Sequence, residues 1–96
     1  MSRILLIIPA YNEAQNIDHV IQNIICNYPQ YDYVIVNDGS TDHTYDICKK
    51  RGYNVLNLSV NLGIGGAVQA GYLYAKRNHY DIAVQIDGDG QHDVAY

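Results

Sequence analysis

The run Ile4-Leu5-Leu6-Ile7-Ile8 is apolar at every position and rich in β-branched residues. A strand with one wet face alternates apolar and polar residues. An unbroken apolar run instead suits a strand covered on both faces, which is the habit of a parallel sheet whose crossover helices lie on either side. Pro9 ends the ladder, because it has no N–H to donate. A second run, Tyr33-Val34-Ile35-Val36, has the same character and leads into Asn37-Asp38-Gly39-Ser40, a loop-forming group. Asn54 to Leu58 reads as a third, shorter strand, and Asp81 to Ile86 as a fourth.

Helical patterns fill the intervals. Apolar residues at Ile17, Val20, Ile21, Ile24 and Ile25 follow the i, i+3, i+4, i+7, i+8 stripe of an amphipathic helix, expected over about Glu13 to Asn27 and stopped by Pro29. A second helix is expected from near Thr41-Asp42, capped by Asp42 or Ser40, to Gly52, a natural C-terminal residue. Lys49, Lys50 and Arg51 then occupy its last turn, where cations meet the negative end of the helix dipole. That structural role is preferred to a binding patch. A third helix is expected over about Gly66 to Arg77, with Gly65, Gly66, Ala67, Ala70 and Gly71 allowing close approach to the sheet in preference to cradling a phosphate.

The last apolar run ends in Ile86-Asp87-Gly88-Asp89-Gly90-Gln91-His92-Asp93. On an extended chain residues i and i+2 point to the same side, about 6 to 7 Å apart. Asp87, Asp89 and the Gln91 amide are therefore able to converge, and two carboxylates with an amide oxygen suit a hard cation such as Mg²⁺ or Mn²⁺. Taken alone, the stretch reads equally well as an acidic turn, since Asp-Gly is a common turn dipeptide. His92 is read as a hydrogen-bonding partner of a carboxylate, ahead of a role at a phosphate or acceptor.

Alternating strands and helices imply right-handed crossovers and a doubly wound, mostly parallel α/β sheet, which binds ligands at the carboxyl ends of its strands where the strand order reverses. Each polar cluster follows a strand: Tyr11, Asn12 and Glu13 the first, Asp38 and Ser40 the second, Asn61 and the glycines the third, Asp87 to Asp93 the fourth. All four share one rim, a coincidence that an acidic hairpin turn does not predict. The site reading of the acid cluster therefore moves ahead.

Composition narrows the function. Ninety-six residues make one domain, and a net charge of −4 with no basic cluster beyond Lys49-Lys50-Arg51 argues against nucleic acid. The Ile4 to Ile8 run is too short to span a bilayer or to form a signal-peptide core. Cys26 and Cys48 lack metal-ligand spacing and are expected as reduced, buried thiols of a cytoplasmic protein.

The ordered motifs Ile7-Ile-Pro-Ala-Tyr-Asn-Glu13, Val36-Asn-Asp-Gly-Ser-Thr-Asp42, Asn61-Leu-Gly-Ile-Gly-Gly-Ala67 and Asp87-Gly-Asp-Gly-Gln-His92 span nearly the whole chain, and with them the sequence resembles the family-two glycosyltransferases of GT-A fold. The last two motifs look most like the dolichyl- and polyprenyl-phosphate sugar transferase branch. The resemblance implies the Rossmann-like, nucleotide-sugar-binding N-terminal part of such an enzyme over residues 1–96, cut short at Tyr96. It implies that Pro9, Ala10, Tyr11 and Glu13 line a base and ribose pocket, with the Tyr11 ring against the base. Asp38 would accept a hydrogen bond from base or sugar, and Val36 would add backbone contacts. Asp87, beside Gly88, would touch the ribose or help hold Mg²⁺ or Mn²⁺ together with Asp89 and Gln91.

The implied donor is a UDP- or GDP-linked sugar, and a lipid phosphate is among the implied acceptors. The implied location is the cytoplasm, at the cytoplasmic face of the membrane where further segments attach it. The acceptor-activating base is expected beyond residue 96, so the isolated piece is expected not to turn over. Where the family usually has Pro after this acid motif, Val94 stands here, which puts the exit from the loop in doubt.

The competing reading is a non-catalytic, Rossmann-like nucleotide-binding domain. A dinucleotide fingerprint needs glycines directly after the first strand, and Pro9 to Glu13 has none. A receiver-like domain wants an acidic pair there, and an EF-hand loop wants Gly where His92 stands.

Overall fold

The computed structural model describes residues 3–86. Its sheet has four parallel strands in the order β3-β2-β1-β4, with β1 at Ile4–Ala10, β2 at Asp32–Asp38, β3 at Val55–Leu58 and β4 at Ile82–Gln85. Helices α1 (Ile17–Asn27), α2 (Thr44–Arg51) and α3 (Gly63–Arg77) alternate with them. This is the α/β architecture expected from the apolar runs.

The central strand shows why its sequence lacks alternation. Leu6, Ile8 and Ala10 face one core with Ile35, Cys48 and the α1 stripe Ile17, Val20, Ile21 and Ile24. Leu5 and Ile7 face a second core with Val34, Val36, Ala67 and Ala75 beneath α3. With helices on both faces, every residue from Leu5 to Ala10 is buried. A Cβ added at Gly71 would stand 2.5 Å from Ile7 Cγ2, so the missing side chain is what lets α3 sit this close. Gly65 departs from expectation, because a Cβ there would meet nothing within 4 Å, and at Gly66 it would meet the Leu62 side chain rather than the sheet.

Element boundaries shift for identifiable reasons. Helix α1 begins at Ile17 rather than near Glu13. Glu13 instead closes the turn ahead of the helix, its carbonyl accepting the Asn16 and Ile17 amides at 2.9 and 2.7 Å. The Glu13 and Ala14 amides donate to Thr44 Oγ1 (2.9 Å) and Asp42 Oδ2 (3.2 Å) in the next loop. Pro9 does not end β1, which runs on to Ala10 with Pro9 opposite Val36 and Ala10 opposite Asn37; the proline lacks an N–H but keeps its carbonyl as an acceptor. Strand β2 continues through Asn37 and Asp38, because β3 offers Asn57 and Leu58 as ladder partners. Helix α2 starts at Thr44 rather than near Thr41, with Asp42 Oδ1 accepting the Thr44 amide at 2.9 Å. Ser40 is not the cap; it accepts the Asn12 amide at 3.0 Å and donates to Asn37 Oδ1. Helix α3 begins at Gly63, ahead of the expected Gly66. Gly52 ends α2 in the left-handed conformation at φ 76°, as its position suggested.

Arg51 does more than close a helix. Its guanidinium meets Asp18 Oδ2 at 2.5 Å, and the Tyr53 hydroxyl donates to the same carboxylate, fastening α1 to α2. Cys48 is buried, and burial pushes its thiol up to about 11. Cys26 is exposed, contrary to expectation, since it lies two residues past Ile24 and so falls off the buried stripe. Ile25, 39% exposed, marks the edge of the same stripe. No described helix is long and apolar enough to cross a membrane.

Candidate functional site

The chain runs outward from β1 through β2 to β3, and α3 then carries it back to lay β4 on the other side of β1. The reversal places the switch point at the carboxyl ends of β1 and β4, the place where open α/β sheets bind their ligands. Ile86 donates its amide to the Ile7 carbonyl at 2.8 Å, so the last described residue stays paired to the central strand. Asp87, Gly88, Asp89 and Gln91 lie outside the described residues. Among the described residues, no group of three His, Cys, Asp or Glu side chains could hold a metal ion. The donor set itself, two carboxylates and an amide oxygen, matches the oxygen preference of Mg²⁺ and Mn²⁺.

Beside this point lies a cavity of about 210 Å³ lined by Pro9, Ala10, Tyr11, Glu13, Asp38, Ile64 and Ala67. Five residues singled out in the sequence therefore meet around one space. Val36 does not line it; its side chain is fully buried in the core under α3, in register with Pro9 and Leu56. Ile64 and Ala67 come from the first turns of α3 and were not anticipated as site residues. Their signal in the sequence was weak, because the small residues around Ile64 were read as packing against the sheet and Ile64 itself falls in no apolar stripe.

The walls are fixed by bonds between loops. Asp38, only 4% exposed at the end of β2, accepts the Leu62 amide on Oδ1 at 2.7 Å, while its carbonyl accepts from Asn61 Nδ2 at 3.1 Å. Gly39 follows at φ 65°, and a Cβ there would lie 2.5 Å from both Asn61 N and Val60 C. Only glycine allows the loops after β2 and β3 to come together in this way. Behind Asp38, the buried Asn37 donates to Asn57 Oδ1 at 2.7 Å.

Asn12 supplies the corresponding tie for the loop after β1. Its φ is 53°, a left-handed value that asparagine tolerates better than most residues. Its Oδ1 accepts the Thr41 amide at 2.8 Å and the Asp42 amide at 3.3 Å, while its own amide bonds Ser40. The Asp42 carboxyl, whose burial alone would raise it, is held below the usual carboxylate range by bonds from Thr44 and the Ala14 amide. Tyr11 and Glu13, on either side of Asn12, are thus presented to the cavity by a braced turn. Asn12 and Thr44 were missed as functional supports because both partners lie about thirty residues away.

The family described as Glycosyl transferase family 2 matches residues 5–95. An undecaprenyl-phosphate mannosyltransferase of Micrococcus luteus is 34% identical over 95 residues, covering 94% of this chain and 39% of that protein. A UDP-N-acetylglucosamine–dolichyl-phosphate N-acetylglucosaminyltransferase of Methanococcus voltae is 39% identical over 106 residues, covering 93% and 42%. The chain thus spans about two fifths of the length of these curated relatives. Among solved structures, a Pyrobaculum calidifontis mannosyltransferase in complex with GDP-Man and Mn²⁺ superposes with a TM-score of 0.78 at 25% identity, covering 91% of this chain and 27% of that one. Glucosyl-3-phosphoglycerate synthase of Mycobacterium tuberculosis in complex with UDP gives 0.71 at 27% identity, covering 95% and 36%.

Proposed function

The chain belongs to glycosyl transferase family 2, and on that premise we propose that it forms the donor-binding part of an enzyme that transfers a sugar from a UDP- or GDP-linked donor to an acceptor. The observation that carries this reading is the cavity at the carboxyl ends of β1 and β2, where Tyr11, Glu13 and Asp38 meet next to the switch point between β1 and the strand that leads into Asp87. Tyr11 packs its ring on the base. Asp38, with Oδ1 committed to the Leu62 amide, offers its other oxygen to an N–H or O–H of base or ribose. Pro9 and Ala10 form the floor, and Glu13 borders the ribose side.

Asp87, Asp89 and Gln91 would hold a divalent cation, Mg²⁺ or Mn²⁺, and Asp87 with Gly88 would border the donor. When bound, such a cation neutralises the charge that develops on the departing nucleoside diphosphate. The residues of this chain do the remaining work on the donor, orienting it through the base and ribose so that its sugar points off the rim. A polyprenyl or dolichyl phosphate is the favoured acceptor, on the support of relatives named for such substrates. Being already an anion, it needs little deprotonation.

Titration of the full chain with UDP, GDP and NAD, with and without Mn²⁺, tests the proposal. Mn²⁺-dependent binding of one nucleoside diphosphate is expected, and metal-independent preference for NAD overturns it. Binding without sugar transfer by the full-length protein would favour a non-catalytic nucleotide-binding domain.

A further inference from the structure

We propose that Ile64 is the second jaw of the nucleobase subsite, packing against the face of the base that Tyr11 leaves open; this rests on the nucleotide-binding reading above. Ile64 is 65% exposed and belongs to neither apolar cluster, so the core does not account for a large aliphatic side chain there. It nonetheless lines the same cavity as Tyr11, itself 47% exposed. The two side chains reach that cavity from different parts of the fold, Tyr11 from the loop after β1 and Ile64 from the first turn of α3.

A single exposed apolar residue needs no explanation. Two that line one concavity from separate elements, with the buried Asp38 at the end of β2 lining it as well, match the usual ligand pocket of apolar walls and few polar groups. A flat heteroaromatic ring fits that arrangement, because it has two apolar faces and a polar edge. Asp38 reads the edge, and the jaws cover the faces. The spacing between reader and jaw is fixed, since the Leu62 amide that holds Asp38 at 2.7 Å lies two residues before Ile64. The same side chain gives α3 a direct part in donor selection, because jaw bulk limits how large a base can enter.

The test compares Ile64→Ala, Ile64→Met and Asp38→Asn with the parent in the full chain, measuring affinity for UDP, GDP and inorganic pyrophosphate with Mn²⁺ present. Ile64→Ala is expected to weaken the preferred nucleotide about tenfold, as burial by the base of about two of the three carbons removed implies. Pyrophosphate affinity and thermal stability should stay at parental values, and Ile64→Met should recover most of the nucleotide affinity. Parental nucleotide affinity in Ile64→Ala, with Asp38→Asn weakened, overturns the jaw and leaves the nucleotide site standing. An equal loss for pyrophosphate also overturns it, since the contact would then serve the phosphates. Failure of the parent itself to bind either nucleotide removes the site and the jaw together.

Discussion

Asn12 Oδ1 accepts the Thr41 amide hydrogen at 2.8 Å, across twenty-nine residues of chain, and this bond is one of several that hold the loop after β1 against the loop after β2. It does so from a backbone with φ 53°, so the residue must both tolerate a left-handed conformation and carry an acceptor. Asn12→Ala removes both and is expected to destabilise the fold by about 1 to 3 kcal/mol. Asn12→Gly keeps the backbone freedom and should cost less, while Asn12→Asp keeps freedom and acceptor and should stay near the parent. Urea unfolding gives the order. Equal losses in Ala and Gly would show that the backbone conformation contributes nothing.

Gly39 and Gly65 should respond to the same substitution in opposite directions. At Gly39 an added Cβ meets the backbone of Val60 and Asn61 at 2.5 Å from a φ of 65°, and backbone atoms cannot rotate aside. Gly39→Ala is expected to lose more than about 2 kcal/mol, the left-handed penalty alone being about 1 to 2. Gly65 stands in open space inside α3, so Gly65→Ala should gain up to about 0.5 to 1 kcal/mol from helix propensity. Thermal denaturation of the two variants checks both signs.

Acid should weaken the clasp between α1 and α2. The Tyr53 hydroxyl, and after it Arg51, hold the Asp18 carboxyl below its ordinary value of 3.8, against the opposing effect of burial. The folded state therefore binds that proton more weakly than the unfolded state. The contribution is present above the ordinary value and is lost as pH falls through the depressed one. Asp18→Asn should flatten this part of the stability profile, measured as urea midpoint against pH. Asp42, also depressed, keeps some slope in the variant. An unchanged slope would mean that Asp18 titrates alike in both states.

Lys50 and Asp89 separate a helix end from a metal site. Lys50 lies in the last turn of α2. Lys50→Ala should leave nucleotide binding nearly unchanged, and Asp89→Ala should remove its Mn²⁺-dependent part. If calorimetry shows the two variants behaving alike, the assignment of the Asp87 to Gln91 donors fails.

Much of this architecture was legible along the chain because it depends on local pattern. The unbroken Ile4 to Ile8 run announced a strand covered on both faces, and the Ile17 to Ile24 spacing announced the helix that covers one of them. Boundaries were less legible. Ala14 by itself favours helix, and nothing near it in the chain shows that the Glu13 and Ala14 amides find their acceptors on Thr44 and Asp42, ahead of α1. Cys26 looked buried because its neighbours are apolar, yet it lies outside the stripe that meets the sheet.

The sequence by itself determined the order of strands and helices, and hence which polar residues follow each strand, because burial on two faces and helical periodicity are written in neighbouring side chains. Only the tertiary structure decided which of those residues share a space. It set Val36 into the core, brought Ile64 and Ala67 to the cavity, and joined Leu62 to Asp38. Such pairings depend on how closely two loops can approach. That approach is governed by the missing Cβ of Gly39 and by hydrogen bonds between residues far apart in the chain.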